Sequence, residues 1–479
     1  MYLGIDIGTS GVKAILLDAD GRVCAQATAP LAVSRPHDLW SEQAPDDWCA
    51  ATEAAVLALP ADLRAGVEGV GLAGQMHGAT LLGTDDKVLR PAILWNDGRS
   101  FAECAELEAA VPDLRAITGN LAMPGFTAPK LQWVRHHEPD VFAQVRTVLL
   151  PKDFVRLWMT GDKASDLSDS AGTLWLDGAE RDWSDAMLAA TGLDRSHMPR
   201  LFEGTEATGQ LRAEIANRWG MKAAPVAAGA GDNAAGAIGV GVVMDGDALL
   251  SLGTSGVIFV ATGTFRPNPG QAVHAFCHAL PDMWHQMSVH LSAASCIDWA
   301  ARLTGMDVPG FFTAAESAGP ASGPELFLPY LSGERTPHND PHVRGALLGL
   351  GHECDPARLA AAVLEGVAFA HADGIAALRD AGTRVDSLSV IGGGSRSIYW
   401  GRIIAAALDV RLDYLDGGDV GPALGAARLA QIAVTGAVLR DVCIRPPLLE
   451  SIEPDPALAA RLAPKLQKFR AAYPALKTI

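Results

Sequence analysis

Apolar and polar positions alternate in short segments from the start of the chain. Residues 2–7 (YLGIDI) and 12–17 (VKAILL) surround the link GTSG, and residues 22–27 follow the turn sequence DADG. Short runs of aliphatic and β-branched residues around glycine-containing turns are typical of β-hairpins. The pattern predicts a three-stranded antiparallel meander at the start of the chain.

Later segments mix helical and strand-type spacing. Residues 48–57 predict an amphipathic helix, residues 67–72 predict a strand, and the Ala- and Gly-rich stretch 225–243 predicts a strand, a turn and a helix. An apolar run enters the glycine turn 392–394 before a helix expected at 398–408, and a last helix is expected from 456 to 473. Strands and helices mixed in this order indicate the α/β class.

A repeat suggests how the chain is organised. The sequence GTSGV occurs at 8–12 and again at 253–257, each time between two apolar runs. Two halves that begin with the same glycine-rich hairpin predict duplicated α/β domains facing one another, although five residues can also match by chance. We place the domains at residues 1–244 and 245–479, with the last helix in the second. Asp6 then corresponds to Ser251, so the copies are not chemically equivalent.

Composition and charge narrow the function. The chain has 479 residues, of which 49% are apolar and 19% charged, and this excludes a mostly disordered protein. The chain has 55 Asp and Glu residues but only 38 Lys and Arg residues. The resulting net charge of -17 repels nucleic acid and anionic membranes. The seven cysteines contain no CxxC pair, no apolar run reaches about 18 residues, and the N-terminus lacks a basic signal region. A cytoplasmic enzyme is expected, with neither nucleic acid nor a membrane as partner.

Three glycine turns carry groups that can bind phosphate. Two are the hairpin links with Thr9 and Thr254, and the third is the turn containing Gly393 and Gly394 between an apolar run and a helix. Such turns aim backbone N–H groups and hydroxyls at phosphate oxygens. Each one alone could be an ordinary tight turn, and no GxxxxGK[ST] motif is present. Together they favour a phosphate-binding protein.

Two aspartates are the main candidates for the chemistry. Asp6 lies in a strand between Ile5 and Ile7, where an unpaired carboxylate is costly to bury, so it should bind Mg²⁺ or cap the following turn. Asp232 lies where a strand gives way to a helix. As the helix N-cap it would be held ionised, either as a general base or simply as a cap.

Polar side chains also follow other predicted strands. They occur in GQMHG at 74–78 and WNDGR at 95–99, and mixed with Trp and Met they suit a polyhydroxylated ligand. The histidine-rich stretch 274–290 could suggest zinc. However, Cys277 and His278 are adjacent and would point to opposite faces of a strand. We therefore expect these histidines to line a substrate site or to be structural.

The motifs in this order resemble the FGGY family of carbohydrate kinases over essentially the whole chain. Two residues depart from its signatures, His136 within 125–137 and Arg358 within 345–365, and neither is a catalytic candidate. GQMHG and ERTPHN are similar to the branch that phosphorylates xylulose rather than to the glycerol or ribulose branches. The segments that carry the resemblance are GIDIGTSGVKAILLD, SRPHDLWSEQ, GQMHGATLL, RPAILWNDGR, MPGFTAPKLQWV, AGAGDNAAGAIGVG, LSLGTSGV, LPYLSGERTPHND, VLEGVAFA and GGDVGPALGAARLA.

This resemblance implies a fold and a set of roles. The fold is two ribonuclease-H-like domains of the actin and hexokinase type, facing a central cleft, with sugar and metal bound by the first and nucleotide by the second. The implied substrates are ATP with Mg²⁺ and D-xylulose, and a homodimer is the usual assembly. The implied roles are catalytic base for Asp232, metal binding for Asp6, sugar binding for Met76, His77, Asp97 and Asn233, and ATP binding for Thr9, Thr254, Gly393 and Gly394.

Three alternatives stay open at this point. The chain could phosphorylate another ketose or polyol, such as ribulose or a pentitol. It could be an actin-like assembly or chaperone protein, or a sugar-binding regulator without catalysis, because one fold can carry several functions. The last two would be expected to lack the base or the sugar-binding loop, and both Asp232 and GQMHG are present.

Overall fold

The computed structural model describes residues 1–416 and 421–477, and two seven-stranded sheets organise this part of the chain. In chain order the strands are β1 (Tyr2–Ile7), β2 (Gly11–Leu17), β3 (Val23–Pro30), β4 (Glu42–Gln43), β5 (Gly69–Gly74), β6 (Thr80–Leu82), β7 (Ala92–Ile93), β8 (Thr147–Leu149), β9 (Ala164–Asp166), β10 (Leu176–Asp177), β11 (Asp182–Trp183), β12 (Arg200–Phe202), β13 (Ala207–Gln210), β14 (Pro225–Ala227), β15 (Ala230–Gly231), β16 (Ala248–Leu252), β17 (Gly256–Thr262), β18 (His274–Cys277), β19 (Trp284–His290), β20 (Leu326–Leu328), β21 (Ala346–Leu348), β22 (Ser387–Ile391), β23 (Arg411–Leu415) and β24 (Leu448–Ile452).

Helices cover the faces and ends of both sheets. In chain order the α-helices are α1 (Pro45–Leu57), α2 (Ala61–Arg64), α3 (Phe101–Ala110), α4 (Leu114–Thr118), α5 (Thr127–His137), α6 (Pro139–Phe142), α7 (Pro151–Thr160), α8 (Leu167–Ala171), α9 (Asp185–Ala190), α10 (Ala213–Trp219), α11 (Asp232–Gly239), α12 (Ala294–Thr304), α13 (Val308–Ala318), α14 (Pro356–Asp380), α15 (Ile398–Leu408), α16 (Pro422–Thr435), α17 (Leu439–Val442) and α18 (Pro456–Leu476). Short 3-10 turns lie at Thr84–Asp86, Arg195–His197, Pro269–Gln271 and Gly393–Arg396.

The two sheets follow the same path. In the first, β3, β2 and β1 form the antiparallel meander predicted from the sequence, and β5 and β14 continue the sheet in parallel beside β1. In the second, β19, β17 and β16 are antiparallel, and β22 and β23 continue in parallel beside β16. Asp6 and Ser251 are each the next-to-last residue of the first hairpin strand. The repeated hairpin and the α/β class are therefore confirmed.

The long helix α14 forms the centre of the second core. It is long and apolar enough to cross a membrane by length and composition, but 89% of its apolar window is buried inside the protein. The helix packs against α13, α15 and β20, and its buried face includes Val363, Val367 and Phe369. Burial of this kind is typical of the core helix of a large domain.

Helix α16 joins the two halves. It lies late in the chain but packs on β1 and β5 of the first sheet and on α11. The contact is closer than any side chain would permit, because a Cβ added to Gly71 would lie 1.9 Å from the carbonyl oxygen of Ala426. A Cβ on Gly4 would lie 2.0 Å from the Ala423 oxygen. Glycine in these strands is thus required by close approach of backbone to backbone. The helix holds α11, whose first residue is Asp232, against the first sheet.

The Gly71 contact leads to a stability prediction. Gly71→Ala forces α16 away from β5, and we expect the free energy of unfolding to fall by about 1–3 kcal/mol, as for overpacked cores. Gly351→Ala is the matched control, since a Cβ there meets nothing within 4 Å, and it should change stability by less than about 0.5 kcal/mol. Urea unfolding followed by tryptophan fluorescence measures both. Equal effects of the two substitutions would contradict the close contact.

Candidate active site

Asp232 begins helix α11 directly after the two-residue strand β15. The sequence predicted it as the N-cap. That prediction is wrong by one position, because Gly231 is the cap residue and Asp232 is the first helical residue. Its Oδ1 accepts hydrogen bonds from the backbone N (2.7 Å) and the side-chain Nδ2 (2.9 Å) of Asn233. Burial raises the pKa of Asp232 to about 6, and the Asn233 hydrogen bonds partly oppose that rise. The carboxyl is therefore mostly ionised at neutral pH and can accept a proton.

A cavity of about 300 Å³ opens beside Asp232, and we call it the sugar cavity after the ligand expected from the sequence. Both halves of the chain line it, so its walls are not confined to the first half. The first half contributes Met76, His77, Trp95, Asp232 and Asn233, and the second contributes Ser255, Val257, His274, Phe276, Met287, Val289 and Arg335. Apolar faces beside a few polar groups suit a polyhydroxylated ligand. Three of the four residues predicted to bind sugar thus lie together with the predicted base.

His77 is held in an unusual backbone conformation. Its φ is 69°, in the left-handed region that residues other than glycine seldom adopt. Two donors fix its carbonyl oxygen, Lys130 Nζ at 2.8 Å and Thr127 Oγ1 at 3.2 Å. Its Nδ1 lies 2.6 Å from the carbonyl oxygen of Gly172 and therefore carries the proton. Burial lowers the pKa of His77 to about 3, so the ring stays neutral.

Asp97 does not line this cavity. Its carboxylate is buried, accepts a hydrogen bond from the backbone N of Ser41 (2.6 Å) and pairs with Arg99 (2.6 Å), whose guanidinium stacks over Trp40. These contacts hold the loop that presents Trp95 to the cavity. Contact of Asp97 with a sugar stays a prediction, and the structure gives the residue a supporting position.

A second cavity of about 400 Å³ meets the first at Asp232, and we call it the nucleotide cavity after the ligand expected from the sequence. Asp232, Asn233 and Val257 line both cavities. The remaining walls come from one face of α11, from the β16–β17 hairpin, from the end of β22 with Gly392, and from the start of α16. Their residues are Gly236, Ala237, Val240, Leu249, Ser251, Phe259, Ile391, Gly392, Gly421 and Pro422. The predicted base thus stands between two spaces, each large enough for a small molecule.

The third glycine turn reaches this cavity through a residue that the sequence analysis did not select. Gly392 lines the nucleotide cavity, whereas Gly393 and Gly394 begin the 3-10 turn behind it. Gly392 has φ 89°, and a Cβ there would lie 2.8 Å from the carbonyl oxygen of Leu252. A positive φ and a close backbone contact are the physical signal for glycine at this position. Binding by Gly393 and Gly394 stays a prediction.

The two hairpin threonines make contacts of different kinds. Thr9 Oγ1 donates to Gln75 Oε1 (2.9 Å) and accepts from Trp95 Nε1 (3.0 Å), which ties the first hairpin loop to the sugar cavity. Thr254 is fixed through its backbone, because its carbonyl oxygen accepts from Ser295 Oγ (2.8 Å). Neither threonine lines a cavity wall in the described part of the chain. Phosphate binding by Thr9 and Thr254 also stays a prediction.

Asp6 has the properties expected of a cation ligand. Its Oδ1 is buried and has no hydrogen-bond partner among the described residues. Burial and the nearby charge of Asp232 raise the pKa of Asp6 to about 7, which Lys13 only partly offsets. A divalent cation would satisfy this oxygen and reverse the pKa shift. Across 1–416 and 421–477 no group of three Asp, Glu, His or Cys side chains is arranged to hold a metal ion, so other ligands would have to come from water or a bound phosphate.

A fully buried ion cluster lies beside the segment that leads to Asp232. Lys152 Nζ contacts Asp153 Oδ1 (2.6 Å), Asp166 Oδ1 (2.7 Å) and Asp169 Oδ2 (3.3 Å), and Arg156 lies 3.9 Å from Asp153. Two cations thus face three carboxylates. Burial raises the pKa of Asp169 well above its usual value, and the nearby charge of Lys152 partly opposes that rise.

Hydrogen bonds connect this cluster to the segment before Asp232. Ser168 Oγ accepts from the backbone N of Gly231 (3.1 Å) and donates to Asp166 Oδ2 (2.5 Å). Arg156 donates to the carbonyl oxygens of Ala227 (2.8 Å) and Ala228. The sequence analysis missed the cluster. Its only signal is the presence of charged residues inside apolar stretches, in PKDFVR at 151–156 and SDLSDS at 165–170.

The histidine-rich stretch divides into two groups. His274 lines the sugar cavity, as one of the two expected roles requires. His278 and His285 lie in the core around Phe259, on which the ring of His285 stacks at 4.4 Å. Burial lowers the pKa of both residues, so they remain neutral packing groups.

Two family models match the chain. Residues 1–239 match the N-terminal domain of the FGGY family of carbohydrate kinases, and residues 248–434 match its C-terminal domain. Together they cover most of the sequence.

Proteins similar to this chain over nearly its whole length are also carbohydrate kinases by name. The chain is 57% identical to the xylulose kinase of Escherichia coli strain K12 over 477 residues, which are 99% of this chain and 98% of that protein. It is 56% identical to the xylulose kinase of Klebsiella pneumoniae over 100% of both chains. The crystal structure of a xyloylose kinase from Brucella ovis superposes with a TM-score of 0.97 at 53% identity, covering 100% of this chain and 99% of that one. The predicted two-domain fold is confirmed.

The buried ion cluster leads to a second stability prediction. Lys152→Met leaves buried carboxylates without a partner, so the free energy of unfolding should fall by about 3–5 kcal/mol. Lys163→Met is the matched control. Lys163 pairs with Asp86 at 2.5 Å with both side chains 40% exposed, and its loss should cost no more than about 1 kcal/mol. Urea unfolding of both variants compares the effects. If Lys152→Met were as stable as Lys163→Met, the cluster would not be structurally important.

Proposed function

The chain belongs to the FGGY family of carbohydrate kinases, and we propose that it transfers the γ-phosphoryl group of ATP to the terminal O5 of D-xylulose. That it is a sugar kinase using ATP follows from the family. The choice of sugar is supported by full-length similarity to proteins named xylulose kinases. GQMHG and ERTPHN, which resemble the same branch of the family, agree with this choice.

The observation that carries the proposal is the position of Asp232 at the junction of the two cavities. A sugar in one cavity and a nucleotide in the other would bring an acceptor hydroxyl and a γ-phosphate to the same carboxylate. In phosphoryl transfer, such positioning supplies much of the acceleration. An assembly protein or a sugar-binding regulator would not need a carboxylate at that junction.

In the proposed mechanism Asp232 accepts the proton of the sugar hydroxyl as that oxygen attacks the γ-phosphorus. Its pKa of about 6 leaves it ionised near neutral pH yet basic enough to take the proton. Met76, His77 and Asn233 bind and orient the sugar, and the apolar walls exclude water that would otherwise hydrolyse ATP. Asp6 would hold Mg²⁺, which neutralises charge on the phosphate oxygens when bound.

Further assignments belong to the same proposal. The hairpin loops with Thr9 and Thr254 and the turn with Gly393 and Gly394 would bind the phosphates and the adenosine of ATP. The domain boundary would lie between residues 244 and 245, within the gap left by the two family-model matches. We also propose a cytoplasmic homodimer, on the strength of the family resemblance.

The experiment that tests the substrate is ADP release across a panel of D-xylulose, D-ribulose, xylitol and glycerol. D-ribulose differs from D-xylulose at C3, and a misplaced hydroxyl leaves a buried partner unpaired. Its kcat/KM should therefore be lower by roughly ten- to a hundredfold. His77→Ala should narrow this difference rather than lower all rates equally. If the wild-type protein preferred D-ribulose or glycerol, the xylulose assignment would be wrong while the kinase assignment would stand.

The role of Asp232 is tested by Asp232→Asn and the pH profile. The amide keeps the size of the side chain but cannot accept the proton, so kcat should fall by about 10²–10⁴ with little change in KM. Because the base must be ionised, wild-type kcat/KM should be constant above pH 6 and fall about tenfold per unit below it. That acid limb should be absent in the variant. Asp140→Asn, an exposed control, should match the wild type, and near-normal turnover by Asp232→Asn would refute the assignment.

A further inference from the structure

Arg335 places a positive charge in the sugar cavity without a neutralising partner. The residue lies between β20 and β21, is half-buried, and lines the cavity. In the described part of the chain no carboxylate lies within 4.0 Å of its guanidinium, whose one hydrogen bond runs from Nη1 to His274 Nε2 at 3.2 Å. Its Nε and Nη2 atoms have no partner there. A half-buried guanidinium normally pairs with a carboxylate or another anion.

The neighbouring His274 cannot supply the missing negative charge. Asn120 Nδ2 donates to the carbonyl oxygens of Thr118 (2.8 Å) and Ala275 (2.9 Å), which fixes the orientation of the amide. Asn120 Oδ1 therefore accepts from His274 Nδ1 at 3.0 Å, and the unprotonated Nε2 accepts from Arg335. Burial and the nearby Arg335 hold the pKa of His274 well below its usual value. The ring is neutral, so the charge of Arg335 remains.

The carboxylate of the adjacent Glu334 contacts the backbone of Arg335 and lies more than 4.0 Å from its guanidinium. Its Oε1 accepts from the backbone N of Leu291 (3.0 Å) and of Arg335 (2.8 Å), and its Oε2 lies 3.3 Å from His290 Nδ1. The loop itself is fixed to β19, because Thr336 N donates to the carbonyl oxygen of Val289 (3.0 Å) and Thr336 Oγ1 accepts from Val289 N (3.0 Å). The backbone at Arg335 is therefore held in place by Glu334 and Thr336, while no carboxylate of the described residues pairs with the guanidinium.

The sugar cavity thus holds one acidic and one basic group that do not pair. Asp232 is the acidic side chain of its wall and Arg335 the basic one, and the other lining residues are neutral. Arg335 lines the sugar cavity and not the nucleotide cavity, so it is placed to meet the sugar rather than the phosphates. Opposite charges at two places in one cavity orient a ligand that carries a hydroxyl at one end and an electron-rich oxygen at the other.

We propose that Arg335 binds the oxidised end of a five-carbon chain, namely the C2 carbonyl of the ketose and, more tightly, the carboxylate of a five-carbon sugar acid. The inference rests on the proposed function, because it takes the hydroxyl near Asp232 as the acceptor. A carboxylate at the Arg335 end forms charge-assisted hydrogen bonds, and the same group beside Asp232 would be repelled. Sugar acids of this length should therefore compete with the sugar substrate.

The test compares D-xylonate with xylitol, two ligands that differ only in whether C1 is a carboxylate or a hydroxymethyl group. Calorimetry without nucleotide measures the binding of each to the wild type, Arg335→Met and Arg335→Lys. We expect D-xylonate to bind the wild type about ten- to a hundredfold more tightly than xylitol, from the strength of charge-assisted hydrogen bonds. Arg335→Met should abolish this preference and leave xylitol affinity within about threefold, and Arg335→Lys should retain part of it.

Kinetic measurements test whether the carboxylate of D-xylonate binds in the sugar cavity. D-xylonate should compete with the sugar in ADP release, and Arg335→Met should leave the KM for ATP unchanged. A neighbouring cavity of about 350 Å³ also touches Arg335 and is lined by Arg115, so Arg115→Met is the matched control and should bind D-xylonate like the wild type. The inference fails if D-xylonate does not compete with sugar, if Arg335→Met weakens both ligands equally, or if Arg115→Met removes the preference. Because calorimetry needs no turnover, an Arg335-dependent preference would support the inference even if D-xylulose proved not to be the substrate.

Discussion

The buried ion cluster around Lys152 and Arg156 is the constraint on which the active site depends. Charged groups without contact with water are costly, so their geometry must satisfy every partner at once. Arg156 holds the carbonyl oxygens of Ala227 and Ala228, and Ser168 holds the N–H of Gly231 while bound to the cluster. The segment leading to Asp232 is therefore held at three backbone groups. A loop fixed only by apolar contacts would leave the base free to shift, and small displacements of a catalytic group cost large factors in rate.

The close contact of α16 with the first sheet supplies the second constraint. Glycines in β1 and β5 bring the helix to the sheet at backbone distance, and Gly425 brings it equally close to α11, where a Cβ would lie 1.9 Å from the Ala235 oxygen. A segment from the second half thus supports the helix that begins with Asp232. The sugar cavity and the nucleotide cavity meet at a position that both halves of the chain hold in place.

Charged and neutral side chains occupy different parts of the site. The carboxylates of Asp6 and Asp232 make the electrostatic potential negative where the metal ion on the phosphates is expected. Burial raises the pKa of both carboxyls. Arg335 stands elsewhere in the sugar cavity with its charge preserved by a neutral His274. His77 is neutral for the same physical reason, desolvation, and so binds through hydrogen bonds alone. The negative charge of the two aspartates can thus meet a metal ion, and the positive charge of Arg335 can meet an electron-rich oxygen of the ligand.

The sequence by itself determined the α/β class, the repeated hairpin and the N-terminal meander, because short-range periodicity, glycine turns and repeats report local structure directly. A common site for Met76, His77, Asn233 and Asp232 was expected only from the family resemblance, and the tertiary structure brings them to one cavity. The tertiary structure alone decided that Gly392 rather than Gly393 lines the nucleotide cavity, and that Asp97 supports the Trp95 loop. It also identified Lys152 as a residue of the buried ion cluster and Arg335 as a candidate ligand-binding residue. Lys152 meets carboxylates from α7, β9 and α8, and among the described residues the guanidinium of Arg335 meets the distant His274 and no carboxylate. Such pairings depend on which elements pack together, and the fold creates that information only when distant segments meet.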